Sequence, residues 1–191
     1  MGVIKGTDGY WLKVLATTAN LALPTTASTY AVGCECTNSA DGTKWVNVGT
    51  VAVPYWESEV MSKVITLSAA EINTLYSVGK EIIPAYPGKI IVVDNLTLDL
   101  TGTATQFTSG GVVNAQYDVT VHGAGTKVHA DIAAAVLTGA TARIITNRIP
   151  LVLSSIATAS ITSLPLWIGA QTQDFATGTG TAVVKVKYHL V

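Results

Sequence analysis

Three histidines, two cysteines and a few scattered carboxylates are the side chains of this sequence suited to chemistry. His122 and His129, with Asp131, flank the turn Gly123-Ala124-Gly125, and a hairpin there would bring two imidazoles and a carboxylate together. Zinc needs a third or fourth ligand at ~2.0–2.2 Å, and beyond Asp131 the sequence names none. One histidine per chain at a trimer axis is the remaining way to complete such a set. The plain reading is two ordinary strand or loop histidines, so neither metal nor cofactor is expected. Cys34 and Cys36 are one residue apart. In an extended strand they point to the same face, a poor geometry for bonding to each other. They read as two reduced, partly buried thiols.

No arrangement signals catalysis. There is no Gly-x-Ser-x-Gly, His-Glu-x-x-His or phosphate loop, and the five Glu and seven Asp are mostly isolated. A glycan hydrolase would require paired carboxylates across a cleft. The expectation is therefore a protein that is not an enzyme. Of the four tryptophans, Trp167 reads as core, while Trp11 and Trp56 are placed at an interface as readily as in a core. Asn95-Leu96-Thr97 matches a glycosylation acceptor, but without a secretion signal the match is accidental.

Charged residues are 12% of the chain and hydrophobic ones 49%, against about 25% charged in an ordinary soluble domain. So few charges cover a monomer poorly, which points to an oligomer, expected as a trimer. Net charge is −1 and the eleven Lys and Arg are dispersed, so no basic stripe is present to meet a phosphate backbone. No run of about 20 apolar residues is available for a membrane-spanning helix, and Met1 to Asn20, broken by Asp8, Gly9 and Lys13, is not a secretory leader. Neither nucleic acid nor membrane is an expected partner.

The elements that must position any site are strands. Turn residues recur at Asp8-Gly9, Asp41-Gly42, Pro87-Gly88, Gly110-Gly111, Gly123-Ala124-Gly125 and Gly178-Thr179-Gly180, between stretches rich in Val, Ile, Thr and aromatics. The last strand alternates Val184, Val186, Tyr188 and Leu190 with Lys185, Lys187 and His189. Lys89 to Thr101 reads as a long central strand, with further strands at 112–121, 142–149 and 165–171. Tyr30 to Cys36 and Thr43 to Val48 form a hairpin across Asp41-Gly42. A helix is expected over Ser68 to Ser77, opened by a Ser68/Glu71 capping box. Asp131 to Leu137 is open between helix and strand. The fold class is all-β: a jelly-roll-like antiparallel sandwich with one short helix, preceded by a small hairpin region and an arm.

A change of texture near Glu57-Ser58-Glu59 sets the domains at 1–60, an N-terminal arm and small β module for attachment, and 61–191, a sandwich that oligomerises. So short an arm cannot bury Tyr10, Trp11, Leu12, Val14 and Leu15 by itself. With Trp56, these are the candidate residues for contact with a larger assembly.

Ser28 to Trp56, with Asn47-Val48-Gly49-Thr50 closing on an aromatic, resembles a segment of tailed-phage virion proteins. Leu67 to Leu75 followed by Pro87 to Val93 is similar to a helix-then-strand pattern of phage structural proteins, and Asp174, Thr177 to Gly180 and Tyr188 match that pattern's close. The resemblance implies a structural component of a bacteriophage virion, made in the host cytoplasm and assembled onto the particle. Its partner would be the major capsid protein or another virion protein. A trimeric capsid decoration or cement protein is the leading expectation; a head- or tail-fibre module that binds a host receptor is the alternative.

Overall fold

The computed structural model describes residues 4–5, 11–16, 30–38, 43–101, 105–118, 125–139, 144–148 and 157–191; for 4–5, 11–16, 38 and 144–148 it describes the backbone alone. The described residues are predominantly strand, with two short α-helices and a 3-10 turn at Thr158–Ser160. The chain divides into two compact units, Met1–Met61 with His189–Val191, and Ser62–Tyr188.

The first unit is built on a five-stranded sheet in chain order: β1 (Ile4–Lys5), β2 (Trp11–Ala16), β3 (Tyr30–Asn38), β4 (Lys44–Asn47) and β5 (Trp56–Ser58). The β3–β4 hairpin forms as its alternation requires, with Cys36 opposite Trp45 and both side chains buried. Where an arm was expected, Trp11–Ala16 is instead a strand, running parallel to β3 with Val14 opposite Cys36. Its backbone groups are satisfied by the ladder, an arrangement a free arm does not have. The chain's end returns to this unit, where Leu190 N–H donates to Ser58 Oγ at 2.7 Å.

The second unit holds the remaining strands, except the first residue of Met61–Leu67 and the last two of Ala182–Leu190. One four-stranded sheet has the order β11 (Thr126–Lys127), β10 (Val113–Tyr117), β13 (Leu166–Ala170), β7 (Lys80–Ile83). The other runs β12 (Ile144–Arg148), β8 (Ile91–Leu100), β15 (Ala182–Leu190), β6 (Met61–Leu67). A two-stranded ribbon pairs β9 (Thr108–Ser109) with β14 (Phe175–Ala176). Leu96, Leu98 and Leu100 of β8 and Val184, Val186 and Tyr188 of β15 are buried, as are Ala115 and Tyr117 of β10 and Leu166 and Ile168 of β13. Tyr117 links the two sheets, its hydroxyl donating to the Ile91 carbonyl at 2.6 Å.

Helix α1 (Ala69–Asn73) starts as its sequence dictates. Ser68 Oγ accepts from Glu71 N–H and the Glu71 carboxylate accepts from Ser68 N–H. The Lys80 ammonium on the same carboxylate, followed by the bonds to Ser68, holds Glu71 well below the usual carboxylate range, at about 2. The helix stops at Asn73 because the next residues bond elsewhere: Tyr76 and Ser77 N–H both donate to Asp174 Oδ1 at 2.9 Å, and Ala170 N–H to the Leu75 carbonyl. Ser68→Ala is expected to cost about 1 kcal/mol, read as a lower urea midpoint with an unchanged slope. The open segment at 131–137 resolves into an extended start and helix α2 (Ala135–Thr138).

Candidate protein-docking surface

In β4 the side chains alternate, so Trp45 and Asn47 face inward. Asn47 is fully buried and uses its whole hydrogen-bonding capacity. Nδ2 donates to the Tyr30 and Ala31 carbonyls at 3.2 and 3.1 Å. Oδ1 accepts from Gly49 and Tyr55 N–H at 3.1 and 3.0 Å. One amide therefore ties both ends of the 48–55 loop to the start of β3. Within the loop, Val48 N–H donates to the Tyr55 carbonyl at 2.8 Å, Thr50 N–H to the Val53 carbonyl at 3.0 Å, and Val53 N–H to Thr50 Oγ1 at 3.0 Å. At Gly49 an added Cβ would lie 2.5 Å from both Tyr55 N and the Val53 carbonyl oxygen, so only glycine fits.

This well-held loop turns apolar side chains outward. Val53 is 71% exposed, and Val48 and Tyr55 are about half exposed. Val32, at the β3 end bonded by Asn47, is 64% exposed, and Val60 is 63% exposed. Five of the seven large exposed hydrophobic residues among those described thus belong to the smaller unit. Covering such side chains is worth roughly 1.5–3 kcal/mol each when burial is complete, and a loop already fixed loses little further entropy on binding. Glu35 and Glu59 are also exposed, with Glu59 beside Lys44 at 3.9 Å. Partial burial and the Glu57 charge push the Tyr55 phenol up from its ordinary value. Val48, Val53 and Tyr55 thus stand open to solvent on a loop whose two ends are held by Asn47.

The residues singled out from sequence are placed as follows. Trp56 is 3% exposed, its ring edge-on to Tyr30 at 5.6 Å. That corrects its assignment as a contact residue: the indole is part of the unit's interior. Trp11, Leu12, Val14 and Leu15 lie in β2, with side chains outside the described structure, as is the whole of Tyr10. Cys34 and Cys36 are buried and unbonded to each other, and burial with the neighbouring thiol pushes Cys34 up to about 11.

His122 lies outside the described residues. His129 is fully buried: Nε2 accepts from Ala115 N–H at 3.1 Å and Nδ1 lies 2.6 Å from the Ala130 carbonyl. With both ring nitrogens so engaged, its role is to complete the β10 ladder. Asp131 is held by Lys127 at 2.8 Å, Gln171 at 2.8 Å and Asn114 at 3.3 Å. Among the described residues no three His, Cys, Asp or Glu side chains gather as a metal set. Among them, too, no helix is long and apolar enough to cross a membrane.

No protein-family model matches this chain. No curated protein matches it either. Among solved structures, a chain described as "Cyanophage Pam1 capsid asymmetric unit" aligns with 14% identity over 70% of this chain and 84% of that chain, at a TM-score of 0.38. A likeness of that size leaves the functional reading to the residues themselves.

Proposed function

We propose that this is a non-enzymatic structural protein of a bacteriophage particle, a capsid decoration or cement protein that works as a homo-oligomer and covers the shell through its N-terminal unit. The observation that carries the reading is the Asn47-held loop, which fixes Val48, Val53 and Tyr55 in solvent. A chain with 12% charged residues spends little surface on solubility, and exposed apolar groups on an ordered loop are suited to burial in an assembly. Rigid presentation favours slow release once bound.

The test is rebinding to particles that lack the protein. Val53→Asp places a charge at the tip of the apolar surface without touching the buried Asn47 bonds. It is expected to weaken particle binding at least tenfold, about 1.4 kcal/mol, with an unchanged melting temperature. Binding equal to that of the unaltered protein would remove this loop from the contact and with it the basis of the reading.

A further inference from the structure

A sheet edge offers unpaired N–H and C=O groups to any extended chain, and proteins protect edges by keeping them short, charged or covered. The edges of the described sheets are mostly short: β1 and β11 have two residues each, β5 three and β7 four. At seven residues, β6 is the longest. It carries one charge, Lys63, and neither Pro nor Gly. Its exposure is also unusual. Ser62, Lys63, Val64 and Thr66 are exposed, Met61 and Ile65 half-buried, and only Leu67 is buried, whereas its neighbour β15 alternates between buried and open positions. Val64, at the middle of the strand, is 57% exposed.

We infer that β6 is a self-docking edge, at which two copies of this chain pair antiparallel about a two-fold axis through Val64. In that register all seven residues of the strand pair and no like charges are opposed. Val64 meets Val64 of the second copy, a β-branched pair at the axis. Ser62 meets Thr66, Lys63 meets Ile65 and Met61 meets Leu67. Directly opposed side chains have Cβ atoms about 4.5–5.5 Å apart, where like charges repel. The single cation avoids its counterpart in this register, and an axis moved to Lys63 would set two ammonium groups face to face. The two β12-β8-β15-β6 sheets then join into a continuous sheet of eight strands, four from each copy. The interface is isologous, so it closes at two copies and leaves no β6 edge to propagate. A two-fold seam differs from the three-fold assembly that charge scarcity alone suggested, because composition calls for covered surface and says nothing of symmetry.

Sedimentation of the full chain at tens of micromolar should give twice the 19.8 kDa chain mass. Val64→Lys opposes two cations at the axis and should give a folded monomer, while Val64→Thr keeps the dimer. In Val64→Cys mild oxidation should close a direct 64-to-64 disulfide link, while in Lys63→Cys the two thiols sit on a diagonal about 7–8 Å apart, beyond direct disulfide reach, and no 63-to-63 disulfide should form. An unaltered protein that sediments as a monomer or trimer, or a dimer without the 64-to-64 link, overturns the proposal whether or not Val64→Lys folds. Particle binding of Val53→Asp is measured separately, so either idea can fail alone.

Discussion

Asn47→Ala is expected to lower the stability of the N-terminal unit by about 2–4 kcal/mol and to abolish particle binding. The amide is fully buried and makes four hydrogen bonds, to Tyr30, Ala31, Gly49 and Tyr55. Its removal leaves two carbonyls and two N–H groups of the main chain without that partner, and a buried polar group left unsatisfied costs about 1–3 kcal/mol. The four costs do not add in full, because the 48–55 loop can open and let water reach them. That opening is the functional consequence: Val48, Val53 and Tyr55 lose their fixed positions, and binding must then meet the cost of ordering them. Asn47→Asp keeps the acceptor toward Gly49 and Tyr55 but cannot donate to Tyr30 and Ala31, and should fall between the two. Urea denaturation followed by tryptophan fluorescence reads the unit through Trp45 and Trp56, both buried in it, against the separate signal of Trp167 in the other unit. A full loss of binding with stability within 0.5 kcal/mol of the unaltered protein would show that the amide does not hold the loop.

Much of the sandwich is legible from side-chain period alone. Val184, Val186, Tyr188 and Leu190 are buried where alternation places them, and the Ser68/Glu71 box opens the helix because its two bonds are local. The misreadings share a cause: a distant partner decides. Ser68 to Ser77 has helical spacing to its end, yet Asp174 and Ala170 capture the backbone of Leu75 to Ser77, and Gly79 turns the chain at φ 69°. Trp11–Ala16 has apolar residues on both sides of the strand period, and although Asp8-Gly9 stands just before it, its longer partner β3 lies parallel to it and is announced by no turn. The short strands Met61–Leu67 and Lys80–Ile83 have no turn pair of their own to announce them.

The candidate site was legible only in part. The Asn47-Val48-Gly49-Thr50 segment is visible as a motif, but which of its side chains face solvent depends on Asn47 reaching Tyr30 and Ala31, seventeen and sixteen residues away. The aromatic that ends it, Trp56, looked suited to a contact and is interior because Tyr30 packs against it. His129 illustrates the converse. Beside Asp131 it has the types of a metal pair, and its ring is used instead as an acceptor for one main-chain N–H.

Alkaline pH should destabilise the second unit through Tyr117. Its hydroxyl donates to the Ile91 carbonyl between the two sheets, and burial pushes the phenol up to about 12 from an ordinary 10.0. In the unfolded chain the phenol ionises near 10, while in the folded protein it stays protonated until about 12. Between those values the unfolded chain holds fewer protons, so stability falls as pH rises; below pH 10 the contribution is complete. At 1.36 kcal/mol per pKa unit the loss across the window is roughly 2–3 kcal/mol. Tyr117→Phe keeps the ring but removes the donor, and should cost about 1–2 kcal/mol at neutral pH. It should also flatten the alkaline limb, because no phenol remains to ionise at this position. Cys34, held up to about 11 in the other unit, adds its own loss beginning nearer pH 9 in both proteins and so cancels in the comparison. Urea midpoints at pH 8, 10 and 11 for the two proteins give the test: their stabilities should converge as the pH rises, and curves that stay parallel would mean that the Tyr117 proton does not tie one sheet to the other.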